Sequence, residues 1–399
     1  MDSAARPAVP PPSWDAISDM HARIDRPEAW TTAIRWAVDQ LRRTLGEDWA
    51  AQVAQRDAEH PLWAALVHAM SHPAGAAELL EWALRLELLS DFDGMGDVRR
   101  DLRRDLTAAR GLHTQLQLEL AGHVLRHDWP LRLEPPGSAS PGDVAFDVPG
   151  NGRVAVETKA LRERERTRQE REAIGALTDH LHFAALPRGL WVAGQMHRMP
   201  TDEEVRKIEG WIATSGAAGR QLSGMEGIEL YLVPRDAAEG HGLRSSPIAD
   251  RLLPRMVGAM GRKSHQMRGS GAAWLRVTAL TGLWATTEWG LAALGDKLPS
   301  MASALAHELG ANVPDGVVLS SAAGGSNGQA DEIVTSHDGI AVRRAIAPGR
   351  GRETLILPFT DAGREHVELW LLLTNAESDW LDWALGEVGL GSVSEIFGT

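Results

Sequence analysis

Two short apolar runs, Val144-Ala-Phe-Asp-Val148 and Arg153-Val-Ala-Val-Glu157, face each other across Pro149-Gly-Asn-Gly152, and they limit the fold more than any other stretch of the chain. Apolar residues at alternate positions predict strands, and Gly and Asn at the joint tolerate the left-handed backbone of a tight hairpin. The flanking sequence has a different period. From Trp14 to Asp97 apolar residues recur at helical spacing, as in Trp30-Ile34-Val38-Leu41, with breaks near Pro61 and Pro73. After the hairpin, helical and strand patterns alternate: a helix from about 165 to 184, a strand at 189–196, a helix opening on the capping-box pattern Thr201 to Glu204, and a strand at 228–233. Helices and strands in this order predict an α/β fold with a mixed sheet covered by helices.

Register within the hairpin decides which acids share a face, because strand side chains alternate with period two. A four-residue loop, Pro149 to Gly152, would set Val148 against Arg153 and Asp143 against Thr158, turning Asp143 away from Glu157. A three-residue loop, Gly150 to Gly152, would set Pro149 against Arg153 and Asp143 against Lys159, on the face that carries Glu157. Gly-Asn-Gly suits the shorter loop, so it is the expected one.

In that register two carboxylates on neighbouring strands could hold Mg²⁺, a hard ion that prefers oxygen ligands and keeps several of its waters. Lys159, two residues beyond Glu157, would point to the same face and could neutralise charge developing on a phosphate. Asp143 is the expected first metal ligand, Glu157 the second, and Asp147 the alternative to Asp143.

The stretch Pro141-Gly-Asp143 followed by Glu157-Thr-Lys159 resembles the motif of the PD-(D/E)XK nuclease superfamily, the restriction-endonuclease-like fold. A glycine separates the proline from the aspartate here. The resemblance extends over roughly residues 110 to 235, since the helix expected at Leu112 to His127 places Glu119 beside an apolar stripe of Leu116, Leu120 and Val124 before the first site strand. The resemblance implies a restriction-endonuclease-like core with a mixed sheet flanked by helices. It also implies catalytic roles for Asp143, Glu157, Lys159 and Glu119, with Glu119 an accessory metal ligand, and Mg²⁺ as cofactor with Mn²⁺ able to substitute. The implied activity is phosphodiester hydrolysis of nucleic acid, DNA ahead of RNA. A second reading keeps the fold but not turnover, and makes the chain a nucleic-acid or protein-interaction and sensing module. In a third, Asp143, Glu157 and Lys159 are solvent-facing residues of an ordinary hairpin whose buried face is Val144, Phe146, Val154 and Val156.

Composition narrows the remaining options. The chain has 399 residues, long enough for more than one domain, and no cysteine, which excludes disulfides, thiolate zinc sites and thiol nucleophiles. No apolar run reaches membrane-spanning length and the N-terminus lacks a signal-peptide pattern, so a cytoplasmic protein without a membrane partner is expected. The net charge of −13 opposes nucleic-acid binding overall. A local basic run, Arg251 to Arg268, offers Arg255, Arg262, Lys263 and Arg268 as phosphate contacts. Homo-oligomer formation stays open.

The expected organisation is a disordered tail at 1–13, a helical N-terminal domain at 14–97, a nuclease core at 98–235, and an α/β C-terminal region at 236–399 that could continue the core. The run Asp91 to Asp101 reads as the linker between the first two domains. "GVVLSS", "GIAVRRAI", "ETLILPF" and "HVELWLLL" read as strands, and a last helix holds Trp380 and Trp383. Tryptophan supplies 15 aromatics against five Phe and one Tyr, and most are expected in the core, with Trp274 and Trp284 as candidates for base stacking. Gly324 to Gly328 matches G-x-S-x-G around Ser326, but a strand rather than a helix is expected after it, unlike a hydrolase elbow. His123, His127, His180 and His182 could be offered to zinc, yet no His-Glu-x-x-His frame is present, and capping or surface roles are expected instead.

Overall fold

The structure, a computed structural model, describes residues 13–133 and 142–237 with short interruptions, then 243–245, 272–279, 306–307, 310, 313–320, 331–337, 340–347, 350–374 and 377–398. The chain opens with helices α1 (Trp14–Ala22), α2 (Glu28–Leu45), α3 (Trp49–Arg56), α4 (Pro61–His68), α5 (Pro73–Leu88), α6 (Met95–Arg104) and α7 (Ala108–Arg126). Strands β1 (Leu131–Leu133), β2 (Val144–Val148) and β3 (Gly152–Leu161) follow, then α8 (Glu165–Ala185), β4 (Leu190–Met196), α9 (Asp202–Thr214), β5 (Ile228–Pro234) and β6 (Leu243–Ser245). The rest comprises β7 (Ala272–Ala279), β8 (Gly316–Ser320), β9 (Asp331–His337), β10 (Ile340–Ala347) and β11 (Arg350–Pro358), and helices α10 (Asp361–Glu365), α11 (Val367–Leu373), α12 (Glu377–Glu387) and α13 (Val393–Phe397).

These elements form two compact units. The larger holds an eight-stranded mixed sheet in the order β1-β2-β3-β7-β8-β11-β10-β9. Within it β7 and β8 run parallel, while β1–β2, β2–β3, β8–β11, β11–β10 and β10–β9 are antiparallel. One face of the sheet carries Val144, Phe146, Val148, Val154, Val156, Trp274, Val318 and Ile356, which share a single apolar core with the helices. The registers send Leu275, Val277, Val317, Leu319, Leu355 and Leu357 to the other face, and these are buried as well. A sheet covered on both faces explains why these strands read as continuous apolar runs.

Helix α7 is the pivot of the helical layer. Its buried residues run from Ala108 to Val124 and occur on every side, because it touches β1, β2 and β3 as well as α4, α5, α6, α11 and α12. Gly111 lets it close on the His60 ring, and Gly122 lets it close on Trp380, whose ring a Cβ would meet at 3.0 Å. The ends of the described chain also meet in this layer, where the Trp30 ring packs edge-on against Phe397 with centroids 5.0 Å apart.

The smaller unit contains α8, α9 and the sheet β5-β4-β6, in which β4 pairs antiparallel with β5 and parallel with β6. Leu181, Val192, Met196, Ile208, Ile212, Leu230 and Leu232 form its core. The expected capping box is present: the Thr201 hydroxyl accepts from the Glu204 N–H while the Glu204 carboxylate accepts from the Thr201 N–H.

Three expectations about organisation need correction. Residues 14–97 are not a separate domain, because their helices and the strands from 131 to 161 build one core. The expected linker at Asp91 to Asp101 instead stitches helix to sheet: Leu133 N–H donates to the Asp93 carbonyl, and Gly94, with φ +88°, starts α6 against the Leu133 backbone. The C-terminal region continues the core, the alternative left open for it, since β7 to β11 return to the sheet of β1 to β3, but residues 98–235 are not one body, because the second unit begins at Arg162. "HVELWLLL" is helix α11 rather than a strand, and its buried residues Leu369, Trp370 and Leu373 have helical spacing.

His60 supplies a test of the helical layer. Its ring is fully buried, packs edge-on against Trp49 at 5.3 Å, and has no hydrogen-bond partner at either nitrogen among the described residues. Burial pushes its pKa down to about 4, against the opposing charges of Asp57 and Asp105. The unfolded chain therefore binds this proton more readily between the unfolded pKa of 6.5 and about 4, so stability falls as pH drops through that window. His60→Leu is expected to shrink the loss of unfolding free energy between pH 7 and pH 5 by roughly 2 kcal/mol, measured by urea denaturation.

Candidate metal centre

The hairpin register differs from both sequence alternatives. Val148 pairs with Gly152, Phe146 with Val154 and Val144 with Val156, so the loop is Pro149-Gly150-Asn151. Pro149 belongs to the turn because it has no N–H for the ladder, and Gly150 follows it with φ +84°. Asn151 N–H donates to the Val148 carbonyl at 3.0 Å, which closes a Pro-Gly turn of type II.

A β-bulge then changes the direction of Asp143. Val144 is the register partner of Val156, yet Asp143 N–H also donates to the Val156 carbonyl at 2.8 Å, so two residues of one strand oppose one of the other. The preceding Gly142 has φ +90°, and a Cβ there would lie 2.5 Å from the Val156 carbonyl oxygen. The glycine between Pro141 and Asp143 is thus what the bulge requires.

Beyond the bulge Asp143 is fixed at both ends. Gln117 Nε2 on α7 donates to its carbonyl at 3.0 Å. Its Oδ2 accepts from Thr158 N–H and from the Thr158 hydroxyl, each at 2.7 Å. With the hydroxyl proton spent on Asp143, the 3.0 Å contact between Thr158 Oγ1 and His113 Nδ1 is one in which Nδ1–H donates. His113 Nε2 lies 3.7 Å from Asp143 Oδ2. Alternation along β3 sends Thr158 to the α7 side and Glu157 and Lys159 to the other. Asp143 therefore meets the Glu157–Thr158 amide through its N–H, and the two acids do not share the common strand face that the expected register had given them.

Burial removes the solvent-facing reading of the two acids. Asp143 is 9% exposed and Glu157 6%, while Lys159 is partly exposed. The apolar face expected from Val144, Phe146, Val154 and Val156 is the one observed. A buried carboxylate is costly unless donors or cations compensate it, and an all-oxygen pair suits a hard ion such as Mg²⁺, which is often held by one or two carboxylates with water and substrate oxygens. Among the described residues no group of three or more metal-binding side chains is gathered.

The other expected ligands lie elsewhere. Asp147 is exposed opposite Arg153, four residues and roughly 13 Å along the strand from Asp143, and cannot replace it. Glu119 is buried on α7 about 160° around the helix from Gln117. Its carboxylate takes Arg276 of β7 at 3.1 Å and lies 3.9 Å from Arg85 of α5, which also pairs with Glu81 at 3.1 Å. Arg276 also donates to the Leu116 carbonyl at 2.9 Å, so this acid is a structural ion-pair partner. His123 packs against the Trp380 ring and His127 against Trp129, His180 meets Glu209, and His182 stacks on Trp191, so the histidine pairs gather no zinc site among the described residues. Trp274 is wholly buried against Trp370 and is not available to stack on bases. Arg255, Arg262, Lys263, Arg268, Trp284 and Ser326 lie outside the described residues. His113, Gln117 and Thr158 were not singled out by sequence, and their only signal was the spacing of His113 and Gln117 on one side of α7.

No protein family, curated protein or solved structure matches the chain.

The placement of Glu119 separates a structural from a metal-binding role. Glu119→Gln leaves Arg85 and Arg276 without their shared charge and is expected to lower the unfolding free energy by about 3–5 kcal/mol in urea denaturation. Unchanged stability with lost cation binding would return Glu119 to the metal shell.

Proposed function

We propose that this chain is a Mg²⁺-dependent nuclease with a restriction-endonuclease-like core, acting on DNA ahead of RNA. One observation carries the reading: Asp143 and Glu157 are both almost fully buried, Asp143 Oδ2 accepts from the N–H of the residue that follows Glu157, and Lys159 stands two residues beyond Glu157. The order of helix α7, hairpin and mixed sheet supports it, as does the Glu157-Thr158-Lys159 triplet. When bound, Mg²⁺ or Mn²⁺ would supply Lewis-acid polarisation of the phosphate and a lowered pKa for attacking water. The chain's own part is to hold Asp143 and Glu157 as oxygen donors and to place the Lys159 ammonium near the charge that develops on the phosphate. The nucleic-acid partner rests on the resemblance, and the acidic net charge of −13 requires a local basic surface to receive it.

The test is incubation of the full chain with supercoiled plasmid, linear duplex, single-stranded DNA and RNA, in Mg²⁺, Mn²⁺ or EDTA. Cleavage is expected with either metal and not with EDTA, and Glu157→Ala and Lys159→Ala are each expected to reduce it by about a hundredfold or more. Absence of cleavage by folded wild-type protein, or cleavage that persists in both variants, would overturn the proposal. The first result would favour a binding module that keeps the same fold.

A further inference from the structure

Thr158 stands between the two acids in sequence and in space, and packing alone does not account for its hydroxyl. Its side chain is fully buried on the face that carries Val154 and Val156, where valine would fill nearly the same volume without a polar atom to satisfy. The hydroxyl joins two groups: it donates to Asp143 Oδ2 at 2.7 Å and accepts from His113 at 3.0 Å. Its own N–H donates to the same carboxylate oxygen at 2.7 Å. Two donors from one residue thus converge on a single oxygen, and they fix the carboxylate about the bond that would otherwise let it turn.

We propose that Thr158 is the positioning residue of the metal centre, holding the Asp143 carboxylate in its cation-binding orientation, and that His113 in turn fixes the Thr158 hydroxyl. The proposal rests on the metal-centre reading above. Because Oδ2 is taken by Thr158, the carboxylate presents its other oxygen to a cation. Outer partners of this kind characteristically change metal affinity by about ten- to hundredfold when removed.

The experiment is titration of the full chain with Mn²⁺ alone, without nucleic acid, followed by electron paramagnetic resonance, in wild type, Glu157→Ala, Thr158→Val and Thr158→Ser. Wild type is expected to bind and Glu157→Ala to lose binding. Folded Thr158→Val should bind about tenfold more weakly, and Thr158→Ser, which restores the hydroxyl, should return to within about twofold of wild type. If Thr158→Val does not fold, His113→Leu breaks the same chain at a partly exposed position, and His113→Asn, whose amide can donate in place of Nδ1–H, should restore affinity. Wild-type affinity in folded Thr158→Val, or in folded His113→Leu where that variant is used, would overturn the positioning role while leaving the metal centre standing. Failure of wild type to bind Mn²⁺ would overturn the metal centre itself and this role with it.

Discussion

Glu119 sits on a helix buried on nearly every side, and arginines from two different layers close on its carboxylate. Arg276 reaches it from the middle of the sheet and Arg85 from the helical layer, where Glu81 balances the second positive charge. Charges this deep are stable only as a complete set, so the cluster fixes the position of α7 relative to β7 and α5. That position sets everything else α7 offers, including the side that carries His113 and Gln117 to the hairpin. The Trp380 ring lies under Arg85 at 4.7 Å and against Gly122, which ties a helix near the C-terminus into the same arrangement.

With α7 fixed, the hairpin end becomes a rigid corner. A bulge at Asp143, permitted by the positive φ of Gly142, swings the acid out of the regular alternation. Backbone and side-chain hydrogen bonds from Val156, Thr158 and Gln117 then hold it at its N–H, its carboxylate and its carbonyl. A metal ligand works best when its orientation is settled before the ion arrives, and for the proposed ligand Asp143 the neighbours that settle it are ones the sheet and helix already require.

Much of this was legible in the sequence, and the failures have physical causes. The apolar alternation of Val144, Phe146, Val154 and Val156 gave the buried face, and the helix containing Leu116, Leu120 and Val124 was visible from its period. Register was misjudged because Gly-Asn-Gly drew attention from the preceding Pro149-Gly150 pair, the actual turn signal. The bulge left one trace, Gly142, which read as a departure from a motif until its contact with Val156 explained it. The ligand role of Glu119 came from the resemblance alone, and its local pattern could not correct this, since an acid beside an apolar stripe looks the same whether a cation or an arginine awaits it. "HVELWLLL" misled because a short run so rich in leucine fits either secondary structure. Thr158 occupies the unconstrained position of the triplet, so nothing in the pattern marked it, and His113 gains meaning only once the strand and helix are placed together.

The proposed function requires Asp143 and Glu157 to hold a divalent cation jointly. Its most direct test is a crystal structure of the chain grown with Mn²⁺, with the ion located by its anomalous scattering. An anomalous peak is expected within coordination distance, about 2–2.5 Å, of an oxygen of each carboxylate. A peak elsewhere, or none at this corner in a well-ordered crystal, would contradict it and leave the buried acids as structural residues of the hairpin.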